Sequence, residues 1–406
     1  MSRRSIFLSI GVIIILLGAG MWFLFFKPSA PFPVSTSSFG FPSAGNNSFS
    51  SGNGNTLTSQ TTESSNSNEK IFNISPGPVT SAVFIQQNNP TTTIARFIMQ
   101  DTGHVSDVPL DMSGVAPETI SDVTIPGAQK AVWTQGGNAV LLQYIDTTNT
   151  IKTIYLQFTL STSTTPSAPE EVQFLPDNIL GLAVSPDGGS ISYLLKNQSG
   201  GVNGYVAAVD GHNPRELFSI PFTQLLISWP TPQMIILQTK SAADTPGIVF
   251  EVGVKSGAIV PLLYGDGLTA LANKDLSEIL YQTRSNGVNL SYVHLLHSGG
   301  DVSVFDVFPE KCVWDALVTY RLYCAMPTQN VDASYLDAWH QGIVNIPDYI
   351  EGIDFSNGNT SSAIAVPGQD GGSQTSITQL TISPDDRYLM YISRGDRSLW
   401  GVRLTQ

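Results

Sequence analysis

The stretch Ser185–Leu195 reads SPDGGSISYLL, and the stretch Ser383–Ser393 reads SPDDRYLMYIS. In both, a Ser-Pro-Asp turn is followed closely by an apolar run. Proline presets φ for the turn, aspartate accepts a hydrogen bond from a backbone N–H two residues later, and glycine tolerates a positive φ. Each stretch therefore predicts a tight hairpin turn that leads into a buried β-strand.

Four further stretches align with these two and show that the chain is repetitive. They read WTQGGNAVLLQ from Trp133, WPTPQMIILQ from Trp229, NKDLSEILYQ from Asn273 and WDALVTYRLYC from Trp314. Successive units start 52, 44, 44, 41 and 69 residues apart. Each unit has one apolar strand before the turn, one after it, and one or two more downstream. Four antiparallel strands in a repeat of about 40–50 residues predict one blade of a β-propeller.

The two ends of the repeat region indicate how the propeller closes. Pro78–Asp111 is a degenerate first unit, and the last unit ends one strand short. Glu69–Ser75 (EKIFNIS) is similar to the outer strand RELFSIP at Arg215–Pro221 and predicts the missing strand. The predicted fold class is all-β: a seven-bladed propeller of four-stranded antiparallel blades, with an N-terminal strand that closes the last blade and removes free edges. Six or eight blades are the alternatives.

The Ser-Pro-Asp-Gly turn resembles the hairpin of TolB-like and WD-type propeller repeats. Ser185–Gly188 matches that hairpin fully, and Ser383–Asp386 differs only in having Asp in place of Gly. The other four units depart from it, three of them with Trp where Ser is usual. The resemblance covers about residues 70–406 and implies the propeller fold, but it carries little information about activity.

The N-terminal region predicts a membrane anchor. An unbroken apolar stretch, IFLSIGVIIILLGAGMWFLFF, runs from Ile6 to Phe26 without an ionisable side chain. At about 1.5 Å per residue it matches the roughly 30 Å hydrocarbon thickness of a bilayer. Arg3 and Arg4 precede it, which places a short tail, residues 1–5, in the cytoplasm. We therefore predict one transmembrane helix over residues 6–26, with a cleaved signal peptide as the alternative.

Residues 27–68 predict a disordered linker. Ser, Thr, Asn and Gly dominate this segment, and Lys27 and Glu63 are its only charged residues. Such a composition cannot bury enough apolar surface to offset the entropy of ordering. The segment is therefore expected to be a stalk that holds the propeller, residues 69–406, away from an extracytoplasmic membrane face.

Composition and motifs argue against several function classes. The net charge is −13, and such a surface repels phosphate backbones, so we expect no nucleic-acid partner. His294 and His297 are three residues apart on a predicted strand and would point to opposite faces. The sequence carries no nucleophile elbow, phosphate-binding loop or dinucleotide fingerprint. We therefore predict no metal and no cofactor, and we favour a protein that is not an enzyme.

The two cysteines predict a disulfide. Cys312 and Cys324 flank the hairpin of the sixth unit symmetrically about Val318, which makes them directly opposite on paired strands. Opposed Cβ atoms lie within disulfide reach, and an extracytoplasmic location favours the bond. Two buried free thiols, or a redox pair, are the alternatives.

One insertion interrupts the repeat and is the candidate binding site. It reads TQNVDASYLDAWHQGIVNIP over Thr328–Pro347, between the second and third strands of the sixth unit. Tyr335, Asp337, Trp339 and His340 are predicted to lie there on a short helical turn, where aromatic side chains held by a rigid scaffold serve recognition. The alternative is that the insertion only packs over the axial channel or a neighbouring blade.

Three tryptophans occupy equivalent positions in their units. Trp133, Trp229 and Trp314 each open a hairpin, and we expect them to fill space between blades. A ring of stacking platforms for sugar or peptide is the alternative.

Taken together, the sequence predicts a membrane-anchored, extracytoplasmic propeller that serves as a protein-interaction or scaffolding module at the cell envelope. Its expected partner is an envelope protein or a glycan, and the chain contacts the membrane through residues 6–26. The alternatives are a hydrolase or lyase that works at the axial channel and a carbohydrate-binding propeller.

Overall fold

The computed structural model describes residues 69–404, except for residues 76, 89–90, 113, 159–170, 333 and 357–358. In this part of the chain the regular structure is almost entirely β-strand, with one short α-helix and two 3-10 turns. No helix among the described residues is long and apolar enough to cross a bilayer. The predicted tail, transmembrane helix and linker, residues 1–5, 6–26 and 27–68, lie outside the described residues.

The described chain begins with β1 (Ile71–Ser75) and continues into three sheets of four consecutive antiparallel strands. The first sheet contains β2 (Val79–Asn88), β3 (Thr91–Met99), β4 (Val105–Pro109) and β5 (Glu118–Ser121). The second contains β6 (Lys130–Trp133), β7 (Ala139–Ile145), β8 (Ile151–Gln157) and β9 (Glu171–Phe174). The third contains β10 (Gly181–Val184), β11 (Ser190–Lys196), β12 (Val202–Ala208) and β13 (Arg215–Ile220).

A longer sheet, a four-stranded sheet and a closing sheet follow. The longer one has seven strands: β14 (Leu225–Thr231), β15 (Met234–Thr239), β16 (Pro246–Gly253), β17 (Ile259–Ala272), β18 (Glu278–Ser285), β19 (Val288–Leu295) and β20 (Gly300–Ser303). The next contains β21 (Cys312–Trp314), β22 (Arg321–Pro327), β23 (Asp348–Asp354) and β24 (Thr360–Ala365), with helix α1 (Tyr335–His340) between β22 and β23. The last contains β25 (Ile377–Ile382), β26 (Tyr388–Ser393) and β27 (Leu399–Arg403), with β1 beside β27.

The predicted turn chemistry is present at both Ser-Pro-Asp sites. The Ser185 hydroxyl donates to the Asp187 carboxylate at 2.6 Å, and the same carboxylate oxygen accepts the backbone N–H of Gly189 at 3.0 Å. Gly188 has a φ of 74°, and Asp386 takes the equivalent position with a φ of 54°. Aspartate tolerates this left-handed conformation better than most residues, which explains how the turn forms without glycine.

The N-terminal strand closes the ring, as predicted. Strand β1 pairs antiparallel with β27, with Ile71 opposite Val402. A side-chain contact strengthens the closure, because the Arg387 guanidinium lies 2.6 Å from the Asp111 carboxylate across the last and first sheets. The free edge that β27 would otherwise expose is therefore covered.

Buried hydrophobic clusters join each sheet to the next around the ring. Val140 and Leu142 of the second sheet pack with Ile98 of the first. Phe97 of the first sheet packs in turn with Met390 of the last. Innermost strands of consecutive sheets are neighbours at β2–β6, β6–β10, β10–β14, β21–β25 and, across the closure, β25–β2. Four-stranded antiparallel sheets arranged radially in a closed ring are a β-propeller, and the predicted all-β propeller class is confirmed.

The structure departs from the predicted strands in two places. The first unit extends past the predicted bounds Pro78–Asp111, because β5 (Glu118–Ser121) completes its sheet as a fourth strand. Strand β17 pairs with β16 through its first half and with β18 through its second half, with a register shift between Asp266 and Thr269. The outer strand of one unit and the inner strand of the next are thus continuous.

The cysteines and the equivalent tryptophans lie where the sequence placed them. Cys312 is opposite Cys324 in the β21–β22 register, and the two form a disulfide. Trp229 packs with buried residues of the third sheet, and Trp133 packs beside the first. The Trp314 indole N–H donates to the Leu271 carbonyl of the preceding sheet at 3.1 Å. These tryptophans fill space between sheets.

Candidate functional site

The insertion forms a short helix with defined ends. The Asp332 carboxylate accepts both the backbone N–H and the hydroxyl of Ser334, at 2.8 and 2.6 Å, just before α1 begins. The helix ends at His340, and Gly342 follows it with a φ of 75° and an N–H that donates to the Trp339 carbonyl at 3.0 Å. Polar turn residues before the helix and a left-handed glycine after it explain why helical structure is limited to this segment.

The two aromatic rings of the insertion face the interior. Tyr335 is 4 % exposed and Trp339 is 7 % exposed, and both belong to a small hydrophobic cluster with Phe308 and Leu336. The Trp339 indole N–H donates to the Ser376 hydroxyl at 3.0 Å. Tyr335 and Trp339 are four residues apart, with Leu336 between them, so all three lie on one face of the helix. An apolar face of this kind favours burial of the two rings.

A buried ion pair lies beneath the helix. The Lys311 ammonium is 2.6 Å from the Asp348 carboxylate, and neither side chain has any exposed surface. The Tyr335 hydroxyl accepts a hydrogen bond from Lys311 at 3.2 Å, and Asp348 also accepts the Ile377 backbone N–H at 2.7 Å. Burial lowers the pKa of Lys311 and raises the pKa of Asp348, and each partner opposes the shift of the other. Each charge therefore depends on its partner.

Further contacts attach the insertion to the sheets on either side. The Asp337 carboxylate accepts the backbone N–H of Ala243, in the β15–β16 connection, at 3.0 Å. The Arg394 guanidinium, in the β26–β27 connection, lies 4.4 Å from the Trp339 ring centroid and donates to the Trp339 carbonyl. The insertion of one sheet is thus held by both neighbouring sheets.

A small part of the insertion reaches the surface. Ile343 is 72 % exposed. The His340 imidazole is 40 % exposed and lies 2.9 Å from the Glu310 carboxylate. The helical turn predicted for Tyr335, Asp337, Trp339 and His340 is present, but only Asp337 and His340 of the four are accessible to a partner. A binding role for this set stays a prediction.

A second feature, which sequence reasoning missed, is a cavity between inner strands of the second half of the ring. It has a volume of about 480 Å³ and lies among the inner strands β14, β17, β21 and β25. Its walls are mainly apolar and include Leu226, Trp229, Leu271, Trp314 and Leu380. These residues come from separate repeat units, so the set has no local sequence signal.

Two polar side chains of the cavity wall have a hydrogen-bond donor without a partner among the described residues. Gln238 is 5 % exposed, and its amide oxygen accepts the Ala270 backbone N–H at 3.1 Å, while its amide nitrogen has no partner. Trp229 is 8 % exposed, and its indole N–H also lacks a partner. Because the Ala270 N–H needs an acceptor, it fixes which end of the Gln238 amide is oxygen.

In two other units the amide nitrogen of the corresponding glutamine has a hydrogen-bond acceptor. The Gln143 amide nitrogen donates to the Ile179 carbonyl at 3.1 Å. The Gln282 amide nitrogen donates to the Val307 carbonyl at 2.8 Å. The amide nitrogen of Gln238 therefore differs from those of its two counterparts.

The hairpin-turn end of the same sheets has a further cavity, of about 400 Å³, lined in part by Lys274, Asp315 and Leu317. Asp315 is buried, and its carboxylate accepts the Leu317 backbone N–H at 2.9 Å. Burial, together with the neighbouring Asp315 carboxyl, raises the pKa of Asp386 to about 6. Two carboxyl groups that face each other ionise together only at a cost.

No three His, Cys, Asp or Glu side chains within the described part of the chain are placed to share a metal ion. The histidines considered in the sequence make ordinary contacts. The His294 imidazole lies 2.8 Å from the Asp301 carboxylate. His297 lies beyond the end of β19 rather than on the strand, so the strand geometry expected for it does not apply.

Comparisons with known proteins bear on the fold. No protein-family model matches this sequence, and no curated protein sequence matches it. An oligogalacturonate lyase from Vibrio parahaemolyticus is similar in structure, with a TM-score of 0.58 at 9 % identity over 84 % of this chain and 96 % of that chain. The β-propeller domain of Cps50 (Swd1) from Myceliophteria thermophila has a TM-score of 0.53 at 8 % identity, over 82 % of this chain and 100 % of that one.

TolB from Acinetobacter baumannii is also among the similar structures, with a TM-score of 0.41 at 11 % identity over 81 % of this chain and 64 % of that chain. A TM-score this low supports no inference of its own. Because the sequence identities are only 9 % and 8 %, the likeness to the oligogalacturonate lyase and to the Cps50 domain concerns the fold alone. The comparisons agree with the sheet topology that this chain is a β-propeller.

Proposed function

We propose that this chain is a membrane-anchored, extracytoplasmic binding module of the cell envelope, built on a seven-bladed propeller. The observation that carries the proposal is the insertion, residues 328–347. It interrupts the repeat, is fastened to both neighbouring sheets, and leaves Ile343 and His340 exposed. Loops that are held by a rigid scaffold are the usual place for recognition, because little entropy is lost when they bind.

The proposed number of blades is supported by the way the seven-stranded sheet divides. Its first four strands, β14–β17, form one wedge, and the second half of β17 with β18–β20 forms another. A buried cluster lies between these two wedges, as between every other consecutive pair. Counted in this way, the ring has seven blades, with β1 completing the last.

The proposed location is supported by the sequence and by the disulfide. The apolar segment Ile6–Phe26 has the length of a membrane span, and the preceding arginines favour a cytoplasmic N-terminus. The Cys312–Cys324 bond is of the kind that persists in oxidising compartments.

A protein is the better partner than a glycan at the insertion. Carbohydrate recognition there would need exposed aromatic rings, and the rings of Tyr335 and Trp339 are buried. The exposed side chains are the aliphatic Ile343 and the His340–Glu310 pair, a combination of apolar centre and polar rim that is typical of protein interfaces.

A hydrolase or lyase at the axial channel remains the second candidate, without a specific observation in its favour. One similar structure is an oligogalacturonate lyase, but 9 % identity relates it to this chain through the fold only. The lyase activity of that protein is therefore not assigned to this chain.

The proposal is tested by site-specific photo-crosslinking of the full chain in its own envelope. A photoreactive residue replaces Ile343, and the control replaces Leu317, which is 68 % exposed at the opposite end of the same sheet. A discrete protein adduct at position 343 that is absent at position 317 supports the proposal. The same adducts at both positions, or no adduct at 343, contradict it.

A further inference from the structure

We infer that the cavity at the hairpin-turn end is a binding site for a small organic cation with a hydrophobic body, such as an aromatic amine. This site lies at the opposite end of the sheet from the insertion and does not depend on the function proposed for the insertion. Three properties of the turn-end cavity lead to this ligand class: its apolar walls, an aromatic ring among them, and an excess of carboxyl groups over cations.

The size and the walls of the turn-end cavity fit the hydrophobic body. Its volume of about 400 Å³ falls within the roughly 300–1,000 Å³ of small-molecule pockets. Leu317, Ile382 and Pro384 contribute aliphatic surface, and the Leu317 side chain is largely exposed. A hydrophobic body bound against these side chains removes apolar surface from water, which favours binding.

The aromatic ring of the cavity wall is that of Trp314. Its indole N–H donates to the Leu271 carbonyl at 3.1 Å, so the polar edge of the ring already has a partner. Trp314 lines the turn-end cavity and is partly exposed. The face of an indole ring attracts a cation more strongly than the rings of phenylalanine and tyrosine do.

Carboxyl groups outnumber cations around the turn-end cavity. Asp275 and Asp315 line it, and the Asp386 carboxyl is next to that of Asp315. Lys274 is the one cationic side chain among the described residues of the wall. Its ammonium donates to the Ala316 carbonyl, which holds this charge at the turn.

These carboxyl groups act on a ligand in two ways. Asp275 is exposed, so a bound cation can contact its carboxylate directly. Asp315 is buried, so its charge acts on the cavity through its electrostatic field rather than by contact. Arg321 offsets Asp315 only in part, because its guanidinium lies 3.6 Å from the Asp315 carboxylate and 3.8 Å from that of Asp354. The combined field therefore favours a cation.

The neighbouring Ser-Pro-Asp turn shows which kind of ion two such carboxylates hold. The Arg387 guanidinium lies 2.6 Å from the Asp111 carboxylate and 2.6 Å from the Asp385 carboxylate. The Asp386 carboxyl, by contrast, interacts with the like-charged Asp315 and with backbone N–H groups. A cation bound in the adjacent cavity would relieve this repulsion, as Arg387 does for its two carboxylates.

A matched pair of fluorinated probes tests this inference. Para-fluorophenethylamine is a cation, and para-fluorophenethyl alcohol has nearly the same shape without the charge. Binding of each to the full chain in nanodiscs of neutral phosphatidylcholine is measured by fluorine NMR at about pH 8, where Asp386 is ionised, with empty nanodiscs as background. We expect the amine to bind above background, about tenfold more tightly than the alcohol, and to be displaced by unlabelled phenethylamine.

Matched variants locate the binding. Asp275→Asn removes a charge from the cavity wall, and Asp187→Asn removes one from the corresponding turn of the third sheet, which does not line the cavity. Both aspartates are exposed and accept a serine hydroxyl and a backbone N–H within their own turn. We expect Asp275→Asn to weaken amine binding about threefold and Asp187→Asn to leave it unchanged, with no effect of either on the alcohol. Trp314→Leu should weaken the binding of both probes.

Several outcomes would overturn the inference. These are absence of amine binding above the empty nanodiscs, equal affinities of amine and alcohol, and equal effects of Asp275→Asn and Asp187→Asn. Melting curves of each variant show that it is folded. If Trp314→Leu fails to fold, the aspartate pair and the unmodified chain still decide the question. Ile343 variants should not alter amine binding, which separates this site from the insertion.

Discussion

The two ends of strand β21 bury charged side chains in opposite arrangements. Just before the strand, Lys311 pairs with Asp348, a group of opposite charge, beneath the insertion. Just after it, Asp315 faces Asp386, a group of the same charge, with Arg321 3.6 Å from the Asp315 carboxylate. The insertion end is covered by an aromatic cluster, whereas the turn end borders an open cavity.

Burial acts differently on the two pairs. Opposite charges that are buried together stabilise each other, so removing one leaves the other uncompensated. Like charges relieve their repulsion by binding a proton, so their effect changes with pH. The insertion end should therefore respond to mutation, and the turn end should respond to acid.

The largest expected effect is at the insertion end. Lys311→Met should lower the free energy of unfolding by about 3–5 kcal/mol, because it leaves the Asp348 carboxylate buried without its partner. Urea unfolding monitored by tryptophan fluorescence measures the change. Lys274→Met, at the exposed turn end, is the control and should stay within about 0.5 kcal/mol of the parent. If both substitutions lower the free energy of unfolding equally, the insertion end is not more sensitive to loss of a charge than the turn end, and this account is wrong.

The disulfide between the two ends should have the next largest effect. Replacing Cys312 and Cys324 with alanine opens a loop that spans 12 residues of sequence separation. The expected loss is about 3 kcal/mol, mainly because the unfolded chain becomes less constrained. Thermal unfolding of the oxidised parent, the reduced parent and the double variant measures it. If reduction leaves the melting temperature unchanged, this expectation is wrong.

A smaller effect is expected when one hydroxyl is removed at the insertion. Tyr335→Phe deletes an acceptor for the Lys311 ammonium, which keeps its two contacts with Asp348. The loss should be about 1.5–2 kcal/mol, typical of a hydrogen bond to a charged group. Tyr320→Phe, at the turn end, where Tyr320 is 42 % exposed, is the matched control and should have almost no effect. Urea unfolding of both variants measures the two losses. If Tyr320→Phe costs as much as Tyr335→Phe, the hydrogen bond to Lys311 does not contribute as expected.

The smallest expected effect concerns pH at the turn end. Burial and the neighbouring Asp315 raise the pKa of Asp386 to about 6, above the value of about 3.9 in the unfolded chain. The folded state therefore holds this proton more tightly, so its contribution to stability is greatest below about pH 4 and falls as the pH rises to about 6.

Asp386→Asn should remove that part of the pH dependence. Asparagine keeps an acceptor for the Ala316 N–H and tolerates the positive φ at this position. Above pH 6 the variant should be more stable than the parent by less than about 1 kcal/mol, since the site is partly exposed and screened by solvent. Melting temperatures of both proteins from pH 4 to about pH 8 measure the difference. Parallel profiles, or a less stable variant at neutral pH, would count against this account.

The parts of the fold that depend on short-range chemistry were predictable. The Ser-Pro-Asp turns form as expected because their hydrogen bonds join residues two to five apart. The similarity of Glu69–Ser75 to another outer strand correctly predicted the closure with β27. The hairpin symmetry correctly predicted the Cys312–Cys324 bond.

The candidate site was only partly predictable. The sequence located the insertion and its helical turn and left open whether the insertion serves recognition or packs over a neighbouring blade. In the structure Lys311, Ser376 and Arg394 enclose the rings of Tyr335 and Trp339. These partners lie in other sheets or other connections, and nothing in the local pattern identifies them. The cavity among the inner strands was missed for the same reason, because its walls come from six strands in three different sheets.

The repeated hairpins, the closing strand, the disulfide and the place where the repeat is interrupted could all be read from the amino-acid sequence. Each of these follows from local backbone preferences or from periodic burial within one unit. The burial of particular aromatic rings and the pairing of particular carboxyl groups became visible in the folded ring. Those properties depend on distances between units that are far apart in the chain, and ring closure alone brings them together.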